Sequence, residues 1–460
     1  MGHARADSAA SDNGGPEALR HVERATDALL HFSSDLEDEI AAALQCDPTC
    51  PMARILDAYV HLLTTEPQDA AAAAATWSED APQGRLSDRE RGHVAAIERW
   101  LRGDMRGAGE QLLALTRDQP RDVVALAVGH QIDFFTGEAT ILRDRIGGAL
   151  SAWREDDPRF GPVLGMFAFG LEESGDYGRS EETALQAVEL DERDVWGIHA
   201  VAHTYEMQGR VADGVRYLDA HERAWAEGNF FTAHNWWHYC LYALESGDVG
   251  RALEIYDAEL HHPGVELVSM QLLDAAALLW RLYLEGHDET VRWRELAAAW
   301  DGKVDPAFYA FNDMHAVMAY VGCGDFARAE RLIADRRRYV ETTAPTVTNR
   351  AMTADVGLPV CAALLAFGQG KYGRTIDLLL PIRRRINEFG GSHAQRDAVQ
   401  RTLLEAAIRS GRGALARTLA SERLFVRPSS PYNGLKLVQA DQAAATASRS
   451  NSSDGRRVRE

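Results

Sequence analysis

Apolar residues recur along this chain with the 3.6-residue period of amphipathic helices, as in Asp122 to Phe135 and Glu181 to Leu190, whereas the alternation of strands is almost absent. Ala, Leu, Arg and Glu, all good helix formers, dominate these segments. The pattern predicts an all-α protein in which glycines mark the joints. A short turn containing Gly, then a polar residue and a second amphipathic segment, recurs at Gly103, Gly137, Gly175, Gly209, Gly247, Gly286, Gly324, Gly370 and Gly411. The spacings run from 34 to 46 residues, and the local text repeats as RGDMRGA, SGDYGRS, QGRVADG, SGDVGRA, CGDFARA and QGKYGRT. Glycine enters the left-handed region at little cost, which a tight helix-to-helix turn requires.

A period of 34 is the length of a tetratricopeptide repeat. The predicted fold is therefore a tetratricopeptide-like α-solenoid of about nine helical hairpins coiled into a superhelix, occupying residues 19–439. Residues 1–18 and 440–460, the latter ending AATASRSNSSDGRRVRE, lack apolar periodicity and read as a disordered leader and tail. In such a solenoid the first helix of each hairpin lines the concave surface. Candidate functional residues are thus those just before each turn glycine.

These segments hold His130, Gln131 and Asp133; His199, His203 and Glu206; His234, Asn235, Trp236, Trp237, His238 and Tyr239; Asp274; and Asn312, Asp313 and His315. His199 with His203, and His234 with His238, are four apart, so each pair shares one helix face. Neutral imidazoles at that spacing can chelate zinc, nickel or iron, with Glu206, Asp274 or Asp313 completing a shell, so a divalent metal is a candidate cofactor. The same four histidines with Asp313 and His315 are candidate general acids and bases. His130, Asp133, Asn235, Trp236, Tyr239 and Asn312 add ligand contacts, the aromatic faces giving area and the polar groups direction. One segment, GGSHAQRD at 390–397, breaks the repeat text. Ser392 there can cap a helix, and His393, Gln395 and Arg396 could hold an anion or carboxylate.

Lys and Arg number 49 against 69 Asp and Glu, a formal charge of −20 that repels a phosphate backbone. Nucleic acid is excluded on this ground as a partner. No stretch approaches the roughly 20 apolar residues of a membrane span, and the first residues lack the apolar core of a signal peptide. No membrane partner and a cytoplasmic location are expected. The odd count of five cysteines fits a reducing compartment. The expected partner is a peptide, a protein segment or a small polar molecule; no residue pattern reports an oligomeric state.

HAVAHTYEMQGR (199–210), HNWWHYCLYALESGD (234–248), FNDMHAVMAYVG (311–322), DVGLPV (355–360) and GGSHAQRD, in this order, resemble the tetratricopeptide repeat protein 38 family and its bacterial relatives over about residues 20 to 425. The resemblance implies a tetratricopeptide-like fold, brings no reaction with it, and marks the His/Trp strings as features of that family rather than of repeats in general. Two functions stay open. A non-catalytic binding protein would use a His/Trp-rich concave groove, and this reading comes first because most repeat proteins bind. An enzyme would act on a small polar metabolite with a His/Asp acid-base or metal centre in that groove.

Overall fold

The structure, a computed structural model, describes residues 12–262 and 267–457. The expected leader up to residue 11 and the expected tail from 458 lie outside the described residues. Among the described residues, helices follow one another as eleven antiparallel hairpins. The first four are α1 and α2 (Pro16–Leu30, Leu36–Cys46), α3 and α4 (Pro51–Leu63, Pro67–Asp80), α5 and α6 (Asp88–Leu101, Met105–Asp118), and α7 and α8 (Val123–Thr136, Ala139–Ala149). The middle four are α9 and α10 (Phe160–Glu173, Tyr177–Leu190), α11 and α12 (Val195–Gln208, Val211–Trp225), α13 and α14 (Thr232–Glu245, Val249–Ile255), and α15 and α16 (Ser269–Glu285, Thr290–Ala299). Then come α17 and α18 (Ala310–Gly322, Phe326–Thr342), a short α19 (Thr348–Met352) that runs through a π turn into α20 (Leu358–Gly368) with α21 (Tyr372–Leu379), and α22 and α23 (His393–Arg409, Gly413–Val426). A last helix, α24 (Pro431–Arg457), packs on α22 and α23.

Nine hairpins turn at the nine predicted glycines, whose φ angles lie between 71° and 88°. The first two hairpins turn instead at Phe32 (φ 54°) and Thr65 (φ 60°), so a count of glycines alone gives nine. Left-handed backbone costs a residue with a Cβ about 1–2 kcal/mol, and tertiary contacts hold both in place. The Phe32 ring stacks on Trp196 with centroids 5.3 Å apart. The Thr65 carbonyl and hydroxyl both accept from Asn312 Nδ2 at 3.1 Å.

The superhelix winds until its first hairpins meet its later ones. Thr348 N donates to the Gly103 carbonyl at 2.9 Å, the Tyr309 hydroxyl to the Phe135 carbonyl at 3.1 Å, Asn387 Nδ2 to the Gly137 carbonyl at 3.1 Å, and Ser269 N to Glu66 at 2.6 Å. This fills much of the expected concave groove. Every residue of α11 but Gln208 is buried, and α22 lies against both α11 and α15 where a partner's segment would otherwise sit. A helix buried on all sides belongs to a core. Gly390 and Gly391 permit the closure, because a Cβ on either would come within 2.2 Å of Tyr309 Oη or the Phe311 ring.

Three further expectations change. The continuous helix Thr348–Gly368, 21 residues with mean hydropathy 1.6, is long and apolar enough to cross a bilayer by length and composition, but it packs against α17 and α18 as a core element. The tail expected from residue 440 is helical to Arg457, with Ala440 fully buried. At the other end of the chain, Asn13 N donates to Glu90 at 2.8 Å and Arg89 bonds Asp12 at 2.5 Å, so ordered contacts begin inside the expected leader.

Candidate functional site

Four consecutive inner helices, α9, α11, α13 and α15, pack side by side, and each sends polar side chains to one point. The i, i+4 pairs on α11 and α13 meet there: the rings of His199, His203, His234 and His238 lie with centroids 4.3–5.1 Å apart in five pairings. One nitrogen from each of the four falls within 4.8 Å of the others. His234 Nε2 and His199 Nε2 are 3.2 Å apart.

Carboxylates from three helices stand behind these rings. Asp274 on α15 accepts from His234 Nδ1 at 2.7 Å, and Glu206 on α11 accepts from His238 Nδ1 at 3.0 Å. Glu172 on α9 lies 3.6 Å from His203 Nδ1, beyond hydrogen-bond length. Hydrogen-bonding to the carboxylates puts the proton of His234 and His238 on Nδ1, leaving each Nε2 lone pair facing inward. Burial, reinforced by the other imidazoles, holds His199 well below the ordinary histidine range and His238 at about 3. Burial would raise Glu206, but His238 and Arg427 outweigh it and keep that carboxyl at about 2. In the same way His203 and His393 outweigh burial at Glu172 and hold it below the carboxylate range. The Trp237 ring stacks on His234 at 5.3 Å and fixes its plane.

The cluster borders a pocket of about 370 Å³ that opens to the surface past Phe230 and Val268, both exposed. His199, His234 and Asp274 reach its wall, with Gln131 and Gln395. The remainder is largely apolar, with Phe32, Phe134, Met166, Trp196 and Phe231 prominent. The α1–α2 turn closes one side: Phe230 N donates to the Phe32 carbonyl at 2.8 Å, and Ser34 N to the Gly228 carbonyl at 3.1 Å.

Apart from Asn235, the remaining candidates have structural partners. Asp313 forms a bidentate pair with Arg336 at 2.8 Å, and His315 Nδ1 donates to the Phe311 carbonyl at 2.8 Å, so the two expected catalytic groups on α17 stand apart from the four histidines. Asn312 is spent on Thr65 and Asp133 on Arg145, at 2.7 and 2.9 Å. His130 accepts from Trp196 Nε1 at 3.2 Å, and burial together with Arg145 pushes it down to about 3. Trp236 packs on Trp225, and the Tyr239 hydroxyl donates to Asp219 on the outer layer, so within HNWWHY the tryptophan beside the cluster is Trp237. Asn235 is buried with neither amide atom hydrogen-bonded within the protein. At the start of α22 the carboxylate held is the chain's own Glu173, which accepts from His393 N at 2.7 Å and Arg396 at 2.9 Å; Gln395 closes a capping box with Ser392.

Glu172 and the apolar wall were not among the sequence candidates. A signal for Glu172 exists: it sits three residues before Gly175, as Glu206 sits three before Gly209. The wall draws on α1, α2, α3, α7, α9, α11 and α15, and no local pattern joins them.

No protein-family model matches the chain. Among solved structures, it is similar to a monomeric mutant of IFIT1 with Gppp-AAAA, at 14% identity and a TM-score of 0.41 over 94% of this chain and 95% of that one. It is also similar to the human IFIT1 dimer with m7Gppp-AAAA, at 14% identity and a TM-score of 0.40 over 95% and 96%. At that level of likeness nothing about a ligand transfers.

Proposed function

We propose that this helical-repeat protein binds a small molecule, mostly apolar with one hydrogen-bonding end, inside its superhelix. The observation that carries this reading is the pocket of about 370 Å³, whose mostly apolar lining includes the polar groups His199, His234 and Asp274. Small-molecule sites have this make-up, and they occupy about 300–1,000 Å³. The burial of α11 beneath α22 disfavours the peptide or partner segment of the groove reading. The reading includes membership of the tetratricopeptide repeat protein 38 family, supported by the strings that supply His199, His203, His234 and His238, and a cytoplasmic location. It leaves out nucleic acid, in keeping with a formal charge of −20.

Thermal unfolding of the full chain with a series of straight-chain alcohols and carboxylic acids tests it. A ligand at 100 times its Kd stabilises the fold by about 2.7 kcal/mol. We expect a chain-length optimum in the stabilisation and its loss in Met166→Trp, which fills the cavity. Equal stabilisation of wild type and Met166→Trp would remove the reading.

A further inference from the structure

We propose that His199, His203, His234 and His238 together bind one divalent transition-metal ion of the zinc, cobalt, nickel or ferrous kind. The geometry is close to that of a ligand set. Metal–nitrogen bonds of about 2.0–2.1 Å place neighbouring ligand atoms of a tetrahedron about 3.3 Å apart. The Nε2 atoms of His199 and His234 already stand at 3.2 Å, and all four donors fall within 4.8 Å. Small rotations of four imidazoles on two adjacent helices would complete the shell.

A hydrogen-bonded core of histidines explains less. One N–H can bridge His199 and His234, but neither nitrogen of His203, nor His238 Nε2, nor His199 Nδ1 has a hydrogen-bond partner within the protein, although all are buried. Asp274 and Glu206 accept from the outer nitrogens of His234 and His238 at 2.7 and 3.0 Å, and Glu172 lies 3.6 Å behind His203. Metal-bound histidines are oriented in this way by carboxylates on the far ring nitrogen. A divalent cation would also place positive charge beside those three carboxylates, of which Glu206 already faces Arg427 at 3.6 Å. An all-nitrogen donor set selects against magnesium and calcium, which take oxygen ligands. His234, with its side chain 14% exposed, lines the cavity with His199, and that wall gives an ion its way in.

The test uses the full chain, stripped with a chelator, incubated with zinc chloride alone, desalted and analysed for metal. One equivalent per chain is expected for wild type and for His287→Ala, whose histidine is exposed. Less than a tenth of that is expected for His203→Asn/His238→Asn. Cobalt(II) substituted for zinc reads the site independently of any variant's folding, because nitrogen ligation changes its visible spectrum. Glu172→Gln should weaken zinc by about 10- to 100-fold while leaving the saturated stoichiometry at one. Zinc is measured with no small molecule present, so a failed small-molecule reading leaves this one standing. Substoichiometric zinc in wild type, full zinc in a folded His203→Asn/His238→Asn protein, or a cobalt spectrum unchanged from the aqueous ion would each overturn the proposal.

Discussion

Two inner regions carry the same kind of side chains and use them in opposite ways. On α17, with α18 behind it, each polar side chain has a partner in the protein, Asp313 in Arg336, Asn312 in Thr65 and His315 in the carbonyl one turn back, while Asn312 Oδ1 and His315 Nε2 are left without one. On α11 and α13, answering groups stand only behind the rings, and the inward nitrogens of four histidines face one another. Burying a polar group is tolerated where it is hydrogen-bonded and costs about 1–3 kcal/mol where it is not. The α17 arrangement is thus the cheaper one for folding alone. The cluster keeps its cost, and that difference sets it apart as the place where something else is expected to bind.

The comparison breaks most visibly at α17. Arg336→Ala leaves the Asp313 carboxylate buried without its partner, and removing one member of such a pair costs about 3–5 kcal/mol. A urea titration should show the midpoint fall accordingly; a midpoint near that of wild type would mean that α17 is not held as described. Next in size is the response to acid of the chelator-treated protein. Burial holds His130, His238 and His315 at about 3, against an ordinary 6.5, so the folded protein takes up protons less readily than the unfolded chain. Their contribution is complete above pH 6.5 and is lost as pH falls from 6.5 toward 3, at about 1.4 kcal/mol per unit for each histidine. Urea midpoints at pH 7.5, 6.5 and 5.5 measure this, and a flat series contradicts it.

The cluster itself should respond less to an apolar change. His199→Phe exchanges a poorly satisfied imidazole for a ring of similar shape, and the metal-free protein should stay within about 1.5 kcal/mol of wild type. A larger loss by the same titration would mark His199 as a structural residue of the α17 kind. The smallest effect is expected at Thr65→Gly. Relief of left-handed strain and loss of the hydroxyl bond to Asn312 are each worth about 1 kcal/mol and oppose one another. Calorimetry should find little change in Tm; a large drop would show that the side chain, not the backbone, holds that turn.

What could be read along the chain follows from how locally each feature is determined. Turn glycines at Gly103 to Gly411 announce themselves because a single residue satisfies the turn. Phe32 and Thr65 make the same turn with the help of Trp196 and Asn312, which are 164 and 247 residues away, and so leave no local mark. The two histidine pairs were legible because four-residue spacing fixes a helix face. Their convergence, and the exclusion of Asp313 and His315, depended on the packing of α9, α11, α13 and α15. The groove was misread for a similar reason: helical periodicity tells which helices are inner, whereas the return of α22 against α11 and α15 is set by the accumulated twist of the whole array.

The contacts between the first hairpins and the later ones also govern how the molecule comes apart. An open array of repeats can fray from either end, since each unit holds only its neighbours. Here Gly103 is tied to Thr348, Phe135 to Tyr309, Gly137 to Asn387 and Glu66 to Ser269, which makes a ring out of a chain. Such a ring has no independent end to unzip. Deleting or inserting one hairpin would shift the register of every cross-tie, so this protein could not be lengthened or shortened by whole repeats as a modular array can.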